Sequence, residues 1–307
     1  MKIKEVTKKE DWDAFVSVNN GSFLQSFDWG VLKEKEGNNV LRLAVLSKDK
    51  VISQAQIIRE RLPFSKFYYH IPYGPVGSGG EDLIVKELKK RKPKFIFIEP
   101  WNFFEKGSES SFRIEPQKTS IIHLNKDNLF DSFKKSTRYS IRLAEKRGVE
   151  IKEEEYTEDF FELLKGVKER QGFSSYPSSY FPLLLETLNS SFFSARYKGK
   201  LVAGAIVVFF ENKATYLHAV SDYNYRHLSA PTLLQFNICK ELQKRGFVEY
   251  DLWGIDENKF PGVSYFKKGF SGEEKIYPPS KKIIFSPLWY TTYILGKKIK
   301  HYEKLIT

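Results

Sequence analysis

Residues 245–270 read RGFVEYDLWGIDENKFPGVSYFKKGF. A helix stops at Gly246, and Phe247–Trp253 has the aromatic and β-branched make-up of a strand. Gly254 breaks that strand, and a polar loop with a Pro261-Gly262 turn follows. Out of the loop comes Ser264-Tyr-Phe-Lys-Lys-Gly-Phe270, two lysines set among rings. A loop at a strand end that offers cations beside flat apolar surfaces suits an anionic, ring-bearing ligand.

Working outward, the helix before this strand carries Lys240-Glu-Leu-Gln-Lys-Arg245, and an earlier helix carries Lys86-Glu-Leu-Lys-Lys-Arg91. Each leads into an aromatic strand with an acid near its end. Upstream of each lies a meander of β-rich runs. In the first copy these are Val40–Leu46, Val51–Ile58 and Phe67–Ile71. In the second they are Phe193–Tyr197, Leu201–Val208 and Ala214–Ala219. The matched features stand about 150 residues apart, the length of an ordinary domain. A repeat of helix, meander, helix and strand predicts a duplicated α+β domain and not a solenoid. The expected division is 1–148, joined by the tail 275–307, and 149–274.

Between the copies, the segment 129–148 has Phe130, Phe133, Ile141 and Ala144 available for an inner face. The rest is strongly basic: Lys134, Lys135, Arg138, Arg142, Lys146 and Arg147. Across 307 residues the net charge is +12. That excess favours an acidic partner, whether nucleic acid, a nucleotide-linked substrate or an anionic membrane face, although a lysine-rich composition gives the same sum. The aromatic tail Phe285–Leu295, followed by lysines, suits either packing on the first copy or an anionic lipid surface.

Cys239 is the sole cysteine and the five histidines lack metal-ligand spacing, so no disulfide, metal or cofactor is expected. Met1-Lys-Ile-Lys-Glu5 is too charged for a signal peptide, and no run of about 18 apolar residues is present. A cytoplasmic monomer is expected.

Five motifs occur in fixed order: Leu24-Gln-Ser-x-x-Trp-Gly30, Ile71-Pro-x-Gly-Pro-Val76, Lys135-x-Thr-Arg-Tyr-x-Ile-Arg-x-Ala-Glu-Lys-x-Gly-Val149, Tyr250-Asp-x-Trp-Gly254 and Phe266-Lys-x-Gly-Phe270. In them the chain resembles the Fem family of non-ribosomal peptidoglycan interpeptide-bridge aminoacyltransferases, over nearly its whole length. The long helical-hairpin arm of the FemA type is missing, so the chain looks closer to the compact FemX form. The resemblance implies two tandem domains like GCN5-related N-acetyltransferases (GNAT), the first binding the precursor and the second binding aminoacyl-tRNA. It implies transfer of an amino acid from aminoacyl-tRNA to a side-chain amine of the stem peptide, on UDP-MurNAc-pentapeptide or lipid II.

By position within the family motifs, Lys267 matches the lysine that engages the tRNA end, and Phe266 shapes that pocket. Lys33, one turn after Trp29, matches the lysine on the precursor diphosphate, and Arg170 the arginine that shares this task. Tyr216 matches a tyrosine lining the peptide site. Tyr176 is a further candidate there, and Glu99 would orient or deprotonate the amine. Tyr73 departs from the family pattern, where its position is often basic. Asp256 has no counterpart role.

An acyl-CoA-dependent N-acyltransferase on the same fold is the alternative. It requires a glycine-rich turn whose amides hold a pyrophosphate at a helix start. Arg226-His-Leu-Ser-Ala-Pro231 lacks the glycines, and Pro231 removes an amide. A non-catalytic RNA-binding protein is a third reading, and it leaves the duplication unexplained.

Overall fold

A computed structural model describes residues 1–125, 128–171 and 176–306; the side chains of 167–171 and 298–306 lie outside the described set. The chain forms two compact units, Met1–Gln117 with Tyr277–Thr307, and Lys118–Ile276.

The first unit holds the strands β1 (Lys2–Glu5), β2 (Asn39–Ser47), β3 (Lys50–Arg61), β4 (Phe67–Ile71), β5 (Val76–Gly77), β6 (Phe95–Ile98), β7 (Ser108–Ser110) and β15 (Ser280–Ile284). They form one sheet in the order β1-β2-β3-β4-β6-β15-β7, with β5 beside β3. Among the described residues, only β4 and β6 run parallel. Its helices are α1 (Lys9–Val18), α2 (Phe27–Lys35), α3 (Glu81–Lys90) and α10 (Pro287–Ile306). Ile84 and Leu88 of α3 recur at helical spacing and are buried on Leu43, Ile57, Ile96 and Ile98. Tyr290 and Tyr293 of α10 pack on Tyr68, Phe95 and Phe97, and the Tyr68 and Tyr293 hydroxyls meet at 3.0 Å.

The second unit repeats the plan with β8 (Lys118–His123), β9 (Glu150–Glu154), β10 (Ser190–Tyr197), β11 (Lys200–Phe210), β12 (Lys213–Ser221), β13 (Glu249–Gly254) and β14 (Glu273–Ile276). The sheet order is β14-β8-β13-β12-β11-β10-β9, and among the described residues again only one pair, β12–β13, is parallel. Its helices are α4 (Leu129–Ser132), α5 (Lys135–Lys146), α6 (Asp159–Gln171), α7 (Tyr180–Thr187), α8 (Ala230–Lys244) and α9 (Pro261–Lys268). Like α3 before β6, α8 precedes β13, and it buries Leu233, Leu234, Ile238 and Leu242 in the core.

The duplication extends to local detail. The β2–β3 hairpin turns on Lys48 and Asp49, and the β10–β11 hairpin on Lys198 and Gly199, all with positive φ. Such two-residue turns match the twist of the strands they join. Each hairpin has a register shift near that turn, at Val45/Leu46 and at Ala195/Arg196.

The units divide at 117/118 and 276/277, whereas the sequence reading placed 118–148 with the first half. That segment folds with the second because β8 pairs with β13 and because Ile141 and Ala144 of α5 join the α8 core. In the equivalent place β15 pairs with β6. The first sheet therefore takes this strand from chain that follows the second unit, whereas β8 opens the second unit itself. A second difference concerns Pro261-Gly262, read as a turn: Pro261 opens α9, where a missing amide proton costs nothing. Among the described residues, no helix is long and apolar enough to cross a membrane.

Candidate active site

In the second unit the parallel pairing of β12 and β13 runs only from Lys213↔Glu249 to Thr215↔Asp251. Beyond it β13 bulges against β8 between Asp251 and Gly254. Trp253 sits within the bulge at φ +63°, a backbone state that costs a bulky residue about 1–3 kcal/mol. Next to it, the Gly254 carbonyl accepts a hydrogen bond from Lys267 Nζ at 2.8 Å. Lys267 stands on α9, only 7% exposed, with Nζ 5.8 Å from the centroid of the Tyr216 ring.

Burial pulls the Lys267 pKa down to about 8, against the opposing charge of Asp251. Asp251 is fixed in turn. Its Oδ1 accepts the Trp253 amide at 2.7 Å and the Thr119 hydroxyl. Phe266, half-buried, sets its ring edge-on to Phe270 at 5.4 Å. Burial also raises the Tyr216 phenol, which stays neutral. An ammonium with one proton held by a carbonyl keeps two for an oxyanion, in a setting dry enough for those bonds to be strong.

In the first unit the Leu24-to-Gly30 motif builds a platform. Ser26 Oγ accepts the Trp29 amide at 3.2 Å and caps α2. The Gln25 amide side chain donates to the Pro72 carbonyl at 2.6 Å and accepts from the Gln56 amide at 2.8 Å. Gln56 Nε2 donates to the carbonyls of Leu24 and Ser26. A Cβ at Gly30 would collide with the Gln56 and Arg42 side chains. So fixed, α2 holds the Lys33 ammonium 4.5 Å over the Trp29 ring and 2.6 Å from Glu36.

Glu99 follows β6 and is fully buried. Its Oε1 accepts the amides of Ile114 and Glu115, each at 2.9 Å, and its Oε2 lies 2.8 Å from His70 Nε2. Burial is the largest single influence on His70 and opposes its charge, but the bond to Glu99 together with the charges of Glu99, Glu115 and Glu60 raises the pKa. Glu115 is raised to about 7, first by burial and then by the charge of Glu99; His70, Lys33 and Arg113 act the other way. His70, Glu99 and Glu115 bring donor atoms within 4.8 Å of one another. Arg113, 3.9 Å from Glu99, and the donors already on Glu99 suit that group to sharing protons better than to holding a cation.

The structure thus brings Lys267, Phe266 and Tyr216 together in one unit, and Trp29 with Lys33 in the other. Tyr176 lies elsewhere. It stacks on Tyr180 at 3.8 Å and meets His218 and Phe181, whereas Tyr216 packs into the α8 core. Arg170 lies outside the residues whose side chains are described. Tyr73 is buried, stacked on Tyr277 at 4.4 Å and donating to the Pro116 carbonyl at 2.5 Å, so it fills a core position where no phosphate reaches. Asp256 accepts the amides of Asn258 and Lys259 and shapes the loop before α9. Asp251, His70 and Glu115 were not singled out from sequence. The acid at the end of the second aromatic strand was the available signal for Asp251.

Solved structures share this architecture. The crystal structure of FemX matches with a TM-score of 0.79 at 20% identity, covering 95% of this chain and 99% of that one. A tandem GNAT protein from the clavulanic acid biosynthesis pathway matches with a TM-score of 0.59 at 11% identity, covering 93% of this chain and 99% of that one. At these identities the likeness is one of fold, two GNAT-type domains in series. In sequence, a protein of Staphylococcus aureus (strain MRSA252) named lipid II:glycine glycyltransferase is 31% identical over 224 residues, 62% of this chain and 52% of that protein. The chain spans about half the length of the curated relatives it matches. The FemAB family model matches residues 7–122, 101–193 and 188–298. With nearly its whole length so matched, the chain belongs to the FemAB family.

Proposed function

We propose that this protein is an aminoacyltransferase that moves an amino acid from aminoacyl-tRNA to the side-chain amine of a peptidoglycan-precursor stem peptide. The observation that carries the reading is the Lys267 ammonium, buried where β12 and β13 part and aimed by the Gly254 carbonyl. Family membership and the name of the S. aureus relative supply the substrate class. The amine nitrogen attacks the ester carbonyl carbon, the C–N bond forms, and the bond to the ribose oxygen breaks. The amine gives up a proton and the ribose oxygen gains one. Such an ester and a free amine react readily once aligned, so positioning supplies much of the rate.

Lys267 stabilises the oxyanion and the departing ribose oxygen, and Phe266 packs on the terminal base. In the first unit Lys33, held over Trp29, pairs with the precursor diphosphate, and Arg170 shares that charge. Tyr216, beside Lys267, lines the site for the peptide. Glu99, with no exposed surface, acts through His70 and the 114–115 backbone, which it holds in place.

The test is to incubate the protein with UDP-MurNAc-pentapeptide or lipid II, a mixture of charged tRNAs and, separately, acetyl-CoA, and to follow the peptide mass. A gain abolished by RNase supports the proposal. A gain from acetyl-CoA alone would replace it with acyl-CoA chemistry. Lys267→Ala is expected to cut transfer at least a hundredfold, the scale of a lost oxyanion donor, with precursor binding retained.

A further inference from the structure

Several surface helices of this protein pair cations with acids one turn away. Lys90 pairs with Glu87, Lys165 with Glu162, and Lys244 and Arg245 with Glu241. Helix α5 does not. Its twelve residues, KSTRYSIRLAEK, hold a single acid, Glu145. Thr137, Ile141 and Ala144 face the core. Lys135, Tyr139, Arg142 and Lys146 recur on the opposite side and are exposed, the Tyr139 ring at 65%. Among the described residues none of Lys135, Arg142 and Lys146 has a carboxylate partner. Arg142 is braced at 5.0 Å over the Phe130 ring, and Arg138 donates to the carbonyls of Asp131 and Phe133. Like charges left unpaired along one face repel one another, and a row of phosphates would relieve that repulsion.

The row also starts in a defined place. The Lys134 amide donates to the Gly269 carbonyl at 3.0 Å, one turn from Phe266 and Lys267, and Phe133 packs edge-on to Phe270 at 5.1 Å. From Lys135 to Lys146 the helix rises ~16 Å, enough to pass several backbone phosphates.

We propose that the exposed face of α5, formed by Lys135, Tyr139, Arg142 and Lys146, is the docking surface for the acceptor stem of the RNA whose 3′ end enters the Lys267 pocket. The cations follow one strand's phosphates without reading sequence, and the Tyr139 ring offers a stacking face to an unpaired base near the stem end. This rests on the tRNA reading above and adds to it the surface that holds the donor.

The probe is an uncharged RNA hairpin with a single-stranded 3′ end, bound to the full chain and followed by fluorescence anisotropy across a salt series. K135Q/R142Q/K146Q is expected to bind at least tenfold more weakly, with a salt slope smaller by about two to three. K48Q/K50Q/K66Q, which removes equal charge from the first unit's turns, should change neither by much. Unchanged affinity and slope in the α5 variant would overturn the proposal, as would failure of the unaltered protein to bind the hairpin. Loss of binding to phosphatidylglycerol vesicles with hairpin affinity kept would overturn it too, in favour of a membrane contact. In the transfer assay, KM for charged tRNA should rise with kcat retained. RNase-resistant transfer alongside the expected hairpin loss would remove the tRNA donor and leave the surface standing. RNase-sensitive transfer with hairpin affinity unchanged would do the reverse.

Discussion

Lys267 shows what burying a single ammonium costs in stability. Its pKa is near 8 in the folded protein and about 10.4 in an unfolded chain. Between those values the folded state binds fewer protons, so stability rises with pH there and falls back as pH drops through 8. At neutral pH the buried ammonium costs roughly 3 kcal/mol, at about 1.4 kcal/mol per pH unit. Lys267→Met removes that charge and forgoes the bond to Gly254, worth about 1 kcal/mol. The variant should therefore be more stable by about 1–2 kcal/mol in urea at pH 7, with the difference vanishing toward pH 10, while transfer is lost. A less stable variant would mean that Asp251 more than repays the burial. The Phe266-Lys267 pair stood out in the sequence as part of a motif, while the burial of Lys267 became visible only in the fold. His70 and Glu115 did not stand out, because their partner Glu99 lies on a different segment and only folding brings the three together.

Among the elements, α2 is the clearest case of a motif explained by packing. Gln25, Ser26 and Gly30 are needed to seat the helix on the β3 amide of Gln56, and Trp29 and Lys33 follow from that seat. Gly30→Ala should lower stability by about 2–3 kcal/mol, the scale of overpacking against a buried network, and should weaken precursor binding. Calorimetry and a binding titration with UDP-MurNAc-pentapeptide check both. Unchanged melting would show that Gln56 and Arg42 can yield. The strands were readable from their composition and turns. Helix α9 was not, because Pro-Gly is the signature of a turn and also fits the first turn of a helix; tertiary packing of Ser264 and Lys267 decides for the helix.

At the scale of the molecule, the duplication was visible in the order of elements, yet the division between units was misplaced. Periodicity reports that a strand exists and not which sheet receives it, and β8 and β15 are the strands for which that matters. A fragment ending at residue 117 should be insoluble alone, since Phe95-Ile-Phe-Ile98 loses its β15 partner and α10. Co-expression with residues 118–307 should restore a soluble complex, read by gel filtration. Recovery of the 1–117 fragment by itself as a folded monomer would count against this account. The same connectivity sets a schedule for synthesis. Translation delivers β1 to β7 before the second unit and β15 only after it. The nascent first sheet must wait with one apolar edge open until the whole second unit has been made, so the half begun first is completed only after its neighbour.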